Sequence, residues 1–247
     1  TSLPMFYALY VLAGIGAALI YGGSMGSALK WFTDRRGLAA GIIAGAFGGG
    51  TALFIPFISW AIRTQGYQKA FLWTGIFQGV VILIVAQFLR HPAPEAQSLA
   101  TARPATGSQL GTRHFTTGEM LRTPQFYFLY VMFVMMATGG LLVTANAGPM
   151  ARTWGISAAA LTLATSLNAI ANGASRIFWG WISDRTGREL AMAVAFLSQA
   201  VCLMLVLTLG RLSGTLFTVT LVLTFFTWGE IFSLFPSLLA DYYGSRH

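Results

Sequence analysis

The 247-residue sequence predicts an all-α fold, a polytopic bundle of membrane-spanning helices. Three observations carry this. Only 9% of the residues are charged, against about 25% in soluble domains. Mean hydropathy is +0.67. The few charges also cluster, leaving seven runs free of Asp, Glu, Lys and Arg at 1–29, 37–62, 70–89, 123–151, 153–175, 190–210 and 212–229. A mostly apolar run of about 18 residues is long enough to cross a bilayer as a helix. A soluble enzyme, a nucleic-acid-binding domain and a disordered chain are excluded. The net charge of +8 reads first as a topology signal, because the basic residues lie between the apolar runs.

Spans are expected at 5–29, 38–61, 70–89, 124–149, 157–181, 190–209 and 214–240. In the first, Gly14, Ala18, Gly22 and Gly26 recur at spacing four; in the second, Gly41, Gly45 and Gly49 do the same. That spacing puts small residues on one face, where two helix backbones can approach closely. Gly14-Ile15-Gly16 follows no strand and is not read as a nucleotide loop. Between the third and fourth spans, 91–123 is rich in Pro, Ala, Thr, Ser and Gln and reads as a polar linker. Within it, Phe115–Arg122 can form a short amphipathic helix capped by Thr116 or Thr117. The connections then alternate sides. One set carries ten Lys or Arg, including Lys30, Arg35, Arg36, Arg122, Arg185 and Arg188; the other carries four, Arg63, Lys69, Arg152 and Arg211. The positive-inside rule puts the richer set, the linker and His247 in the cytoplasm, and Thr1 outside. The chain starts at Thr1 without a basic leader and ends in a stub after Ala240. It reads as an internal piece of a longer protein.

Arg176 stands apart. It lies eight residues before Asp184, or about 12 Å along a helix, and so sits well inside a core about 30 Å thick. An arginine there needs a partner or an aqueous cavity. Snorkelling and a structural ion pair are the plainer readings; an anion site is the sharper one. Asn168, Asn172 and Arg176 recur at spacing four as a polar stripe, and a guanidinium matches a carboxylate bidentately. Glu230 is the acidic residue deep in a span. It can pair with Arg176, carry a coupling proton or stay neutral. Helix geometry turns it about 200° from Trp228 and Phe232, which share another face. Tyr21, Phe47, Trp228 and Phe232 all fall in mid-span, and Tyr21 and Trp228 have polar tips that need partners. Catalytic residues, metal ligands and cofactors are not expected. His91, His114 and His247 lie in linker or tail, and the lone Cys202 reads as a small buried hydrophobe. A retinal protein is disfavoured because both lysines, Lys30 and Lys69, sit at span edges; a seven-helix receptor is the other distant alternative.

Four segments carry a family resemblance. Gly180-Trp-Ile-Ser-Asp184-Arg185-Thr-Gly187-Arg188 resembles the loop motif of the major facilitator superfamily. Lys30 to Gly41 is similar to the corresponding loop of its carboxylate carriers. Gly118–Phe126 and Phe226–Pro236 resemble the oxalate:formate antiporter group. The resemblance implies two six-helix halves around a central site, with this chain covering helices four to ten, seven of the twelve. Residues 1–90 would close the N-terminal half, 91–123 would be the central cytoplasmic linker, and 124–247 would open the C-terminal half. It implies that Arg176 is the substrate arginine, that Trp228 and Tyr21 are pocket aromatics, and that Phe47 and Phe232 replace two pocket tyrosines. A second cation, a lysine on helix eleven, would fall after His247. Gly180, Asp184, Arg185, Gly187 and Arg188 would form a gating cluster. The expected function is exchange of small carboxylates such as oxalate and formate by alternating access. The expected setting is a bacterial inner membrane, and the full-length carrier would be a monomer. A proton-coupled monocarboxylate symporter is the alternative. Such symporters carry an acidic residue at the position of Asn172.

Overall fold

The computed structural model describes residues 2–89 and 115–244, with the backbone alone at 51–53, 55, 56 and 59. The expectations placed on Arg90–His114 and on the last three residues lie outside that range. Every element among the described residues is a helix: α1 Leu3–Trp31, α2 Arg36–Ala86, α3 Thr117–Met120, α4 Pro124–Thr153, α5 Ala158–Thr186, α6 Arg188–Thr208, α7 Gly214–Trp228 and α8 Ile231–Tyr243.

Local chemistry starts and stops these helices as expected. Pro4 and Pro124 sit in the first turns of α1 and α4, where the missing N–H costs nothing. Ser157 and Ser213 cap α5 and α7 with their hydroxyl oxygens. Thr116 is the cap of α3, in a reciprocal box with Glu119. Two connections differ from expectation. The loop foreseen at 62–69 is a single sharp break at Gly66 inside α2, with φ 80° and ψ 160°. Glycine alone reaches that backbone region without strain, so one residue suffices for the break. The span foreseen at 214–240 is instead split at Gly229 and Glu230 into α7 and α8.

Among the described residues, five helical stretches are long and apolar enough to cross a membrane: α1, the Trp60–Ala86 part of α2, α4, α6, and the Gly214–Tyr243 stretch that holds α7 and α8. Among the described residues, α5 and the first half of α2 form the most extensive interface. Small residues on both helices let the backbones close together. Gly180 shows the need. A Cβ there would strike the carbonyl oxygen of Gly37, so α5 and α2 meet backbone to backbone. The larger core lies among α4 to α8 and includes Val143, Trp179, Phe217, Leu221, Phe225 and Leu234. A smaller one joins α1, α2 and α8 through Met25, Leu29, Ala40, Ala44 and Ala240. Most apolar side chains of α1 and of the second half of α2 face outward, as helices that are apolar all round do in lipid.

Candidate functional site

Arg176 lies on α5 and is 6% exposed. Its Nη1 donates to the carbonyl oxygen of Ala44 on α2 at 2.6 Å, and its Nη2 donates to Oδ1 of Asn172 at 2.8 Å. The guanidinium carbon stands 4.2 Å from the centroid of the Phe232 ring on α8, a cation–π distance. Among the described residues no carboxylate pairs with it. The spacing-four stripe explains the geometry. Asn172 is one turn away on the same face, where its side-chain oxygen meets the guanidinium.

Several nearby polar groups are buried without a partner. Among the described residues, Nε of Arg176, Nδ2 of Asn172 and Nε1 of Trp228 all lack a hydrogen-bond acceptor. All three are donors, so this part of the molecule is rich in N–H groups and poor in acceptors. Oδ1 of Asn168, one turn further along the stripe, is the unpaired acceptor on that face. Leaving such groups unmet costs about 1–3 kcal/mol each, and a site concentrating them needs a functional explanation. The Trp228 ring packs edge-on to Phe232, with centroids 5.8 Å apart, and it covers Gly140 of α4.

Tyr21 on α1 donates its hydroxyl to the carbonyl oxygen of Phe232 at 3.1 Å. Its ring lies 5.0 Å from that of Phe47, which is half exposed. Beside these residues opens a cavity of about 340 Å³ with an apolar lining, walled by Tyr21 and Phe232 with Phe133, Phe235 and Leu239. The structure therefore links Arg176, Asn172, Phe232, Trp228, Tyr21 and Phe47 in one neighbourhood through these contacts; of the six, Tyr21 and Phe232 line the cavity and the other four do not.

Glu230 is not part of that neighbourhood's hydrogen bonding. It is fully buried at the break between α7 and α8, and neither carboxylate oxygen has a hydrogen-bond partner among the described residues. The ion pair with Arg176 weighed above is not formed. Glu230 is offset by two positions from both Trp228 and Phe232, so it turns to another face. The break itself has two visible contributors. The indole N–H of Trp179 donates to the carbonyl oxygen of Phe226 at 3.0 Å, the acceptor that the amide of Glu230 would use in an unbroken helix. Gly229 also presses its backbone against Ser175 and Asn172 of α5.

At the end of the bundle that carries the loop motif, a charge cluster joins the same two helices. Asp184 at the end of α5 accepts the backbone N–H groups of Gly37 and Leu38 at 2.9 and 2.8 Å. It thereby caps the first turn of α2, where donors are unmet and negative charge is favoured. Arg188 pairs with Asp184 at 2.6 Å and with Asp241 of α8 at 3.0 Å, and Arg36 pairs with Asp241 at 2.7 Å. Arg185 points elsewhere and stacks over the Trp181 ring at 3.9 Å. One residue on from Asp184, it is rotated about 100° around the helix. Gly187, with φ 92°, makes the corner between α5 and α6. Arg36 and Asp241 were absent from the cluster read in the sequence, because nothing local places the start of α2 against the end of α8. The end of α8 also holds the described last part of the linker. Phe115 N–H donates to the Tyr243 carbonyl at 3.0 Å, and the hydroxyls of Thr123 and Tyr243 are 2.7 Å apart.

A bundle of apolar helices with a buried guanidinium and this loop cluster defines a class. The family model for the Major Facilitator Superfamily matches residues 1–247, and the chain belongs to that family. Among curated relatives, the oxalate:formate antiporter of Oxalobacter formigenes is 39% identical over the whole chain, which spans 57% of that protein. The MFS-type transporter YhjX of Escherichia coli is 27% identical over 95% of the chain and 56% of its own length. Human monocarboxylate transporter 11 is 25% identical over 74% of the chain and 37% of its own. The chain thus spans little more than half the length of these relatives at most.

Proposed function

We propose that this chain is the central part of a secondary carrier that exchanges small organic anions, oxalate- and formate-like carboxylates, by alternating access. In this reading residues 1–90 belong to one half, 124–247 to the other, and 91–123 link them on the cytoplasmic side of a bacterial inner membrane. The carrier works as a monomer and performs no covalent chemistry.

One observation carries the reading: Arg176 is a buried guanidinium with no carboxylate against it among the described residues, set among N–H donors that have no acceptor. Such a site binds an anion that brings its own negative charge, because the paired charge is missing from the protein. A carboxylate fits a guanidinium in shape and in charge. Asn172 and Trp228 can add neutral N–H groups, Tyr21 and Phe232 wall the cavity, and Phe47 packs against Tyr21. The similarity to an oxalate:formate antiporter points to the same substrate class.

The cluster of Gly180, Asp184 and Arg188 with Arg36 and Asp241 acts as the cytoplasmic lock between the halves. It holds α2, α5 and α8 together when that side is shut, and separates when it opens. Exchange is favoured over proton symport because the residue touching Arg176 is Asn172, whose amide carries no exchangeable charge.

Counterflow of labelled oxalate or formate in proteoliposomes of the full-length protein tests this. Wild type exchanges the anions, and Arg176→Gln lowers the rate by at least about a hundredfold, the loss expected when one member of a buried charge pair is removed. Undiminished exchange in Arg176→Gln overturns the assignment. Uptake that needs an inward proton gradient and no internal anion favours the symporter.

A further inference from the structure

The contact between Arg176 and Ala44 is a cross-bundle contact, from the side chain of α5 to the backbone of α2. At 2.6 Å it has the length of a strong, charge-assisted hydrogen bond. The Ala44 carbonyl lies inside a helix, where its first lone pair serves the amide four residues on and its second remains usable. That next-turn residue is Gly48, and the guanidinium sits directly above it. A Cβ on Gly48 would lie 2.9 Å from Cζ and from Nη1 of Arg176. Gly48 is therefore the position that lets the guanidinium reach the carbonyl. The sequence pattern of Gly41, Gly45 and Gly49 did not single it out.

We propose that Ala44 is the partner Arg176 keeps when no substrate is bound, and that an incoming carboxylate takes Nη1 from it. Gly48 is the positioning residue that permits this exchange of partners. The inference rests on the anion-site reading above. A carboxylate oxygen is a stronger acceptor for a guanidinium than a neutral carbonyl, so the swap runs in favour of the substrate. Its consequence is mechanical. The empty site holds α2 and α5 together in mid-span, and occupation removes that tie, leaving the outer cluster as the contact still to be undone. An empty carrier is thereby kept from changing sides, and an occupied one is released. Obligatory exchange follows from one hydrogen bond with two alternative acceptors.

The test uses the full-length protein in lipid, labelled with ¹³C at alanine carbonyls and ¹⁵N at glycine. Ala44 is assigned through the signal lost in Ala44→Ser. Oxalate or formate is then added to saturation, with binding followed independently by tryptophan fluorescence. The Ala44 carbonyl signal is expected to move on binding. In Gly48→Ala it is expected to start near the bound position, and the variant is expected to release preloaded oxalate without an external anion, at a rate within about tenfold of exchange. Binding that leaves the Ala44 signal in place overturns the proposal and spares the anion site. A folded Gly48→Ala that keeps both the wild-type signal and strict exchange also overturns it. Absence of binding by either anion removes the anion site, and this proposal with it. If Gly48→Ala does not fold, the measurement on wild type decides alone.

Discussion

The helices α2 and α5 are joined at two places, and the two joints are built from opposite chemistry. At the end of the bundle, Arg36, Arg188, Asp184 and Asp241 are few-percent to one-sixth exposed and pair with one another. In mid-span, Arg176 is held by an amide oxygen and a backbone carbonyl, and its neighbours offer N–H groups without acceptors. The charges of the first joint are paired within the protein, although Nε of Arg36 is buried without a hydrogen-bond partner among the described residues. A joint whose charges are matched suits the lock proposed above. The second lacks its counter-charge among the described residues, and in the proposed function the substrate supplies it. Counting buried charges does not distinguish the two; asking what each charge is paired with does.

The largest expected effect comes at the incomplete joint. Arg176→Gln loses carboxylate counterflow by two orders of magnitude or more and still elutes as a folded protein. Next is the charge-matched joint. Asp241→Asn leaves two guanidinium groups, those of Arg36 and Arg188, short of their shared acceptor. A loss of about 3 kcal/mol in unfolding stability is expected, read by thermal melting in detergent, and carboxylate affinity stays within about threefold, well under one order of magnitude. Arg36→Ala costs less, since Arg188 still holds Asp241. Gly180→Ala sits between the joints and forces α5 off the Gly37 carbonyl. Overpacking of this kind costs about 1–3 kcal/mol, and disulfide trapping of α2 against α5 is expected to slow in step. The smallest effect is at Trp228→Phe, which keeps the packing on Gly140 and removes one unpaired N–H. A rise of a few-fold in KM for exchange matches one neutral hydrogen bond of about 1 kcal/mol. An unchanged KM shows that the indole N–H does not reach the anion.

The contrast also shows what a sequence can display. The helices were legible because charge-free runs of membrane length have few other uses, and Arg176 was legible because arginine in such a run is costly. The spacing of Asn172 from Arg176 already placed them on one face. The partners of Arg176 across the bundle were not legible. One is a backbone carbonyl, which every residue possesses, and the other requirement is the absence of a side chain at Gly48. The lock was half visible. Asp184 and Arg188 stand in one loop motif, but Arg36 and Asp241 are brought to it from about 150 residues before and 50 after by helix packing alone. The break at 62–69 was foreseen as a loop because span lengths show that a turn is needed and do not show how tightly glycine can make it. The break at Glu230 was hidden for a similar reason, since the indole of Trp179 that meets Phe226 comes from another helix.

The central claim is that the two joints differ in kind, with Arg176 kept for an anion and the outer cluster kept for the protein. Equilibrium binding of labelled oxalate and formate to the purified full-length carrier tests it most directly, with wild type, Arg176→Gln and Asp241→Asn measured side by side. The account expects wild type and Asp241→Asn to bind with similar affinity and Arg176→Gln to show no saturable binding. Wild-type affinity in Arg176→Gln, or loss of binding in a folded Asp241→Asn alone, would contradict it.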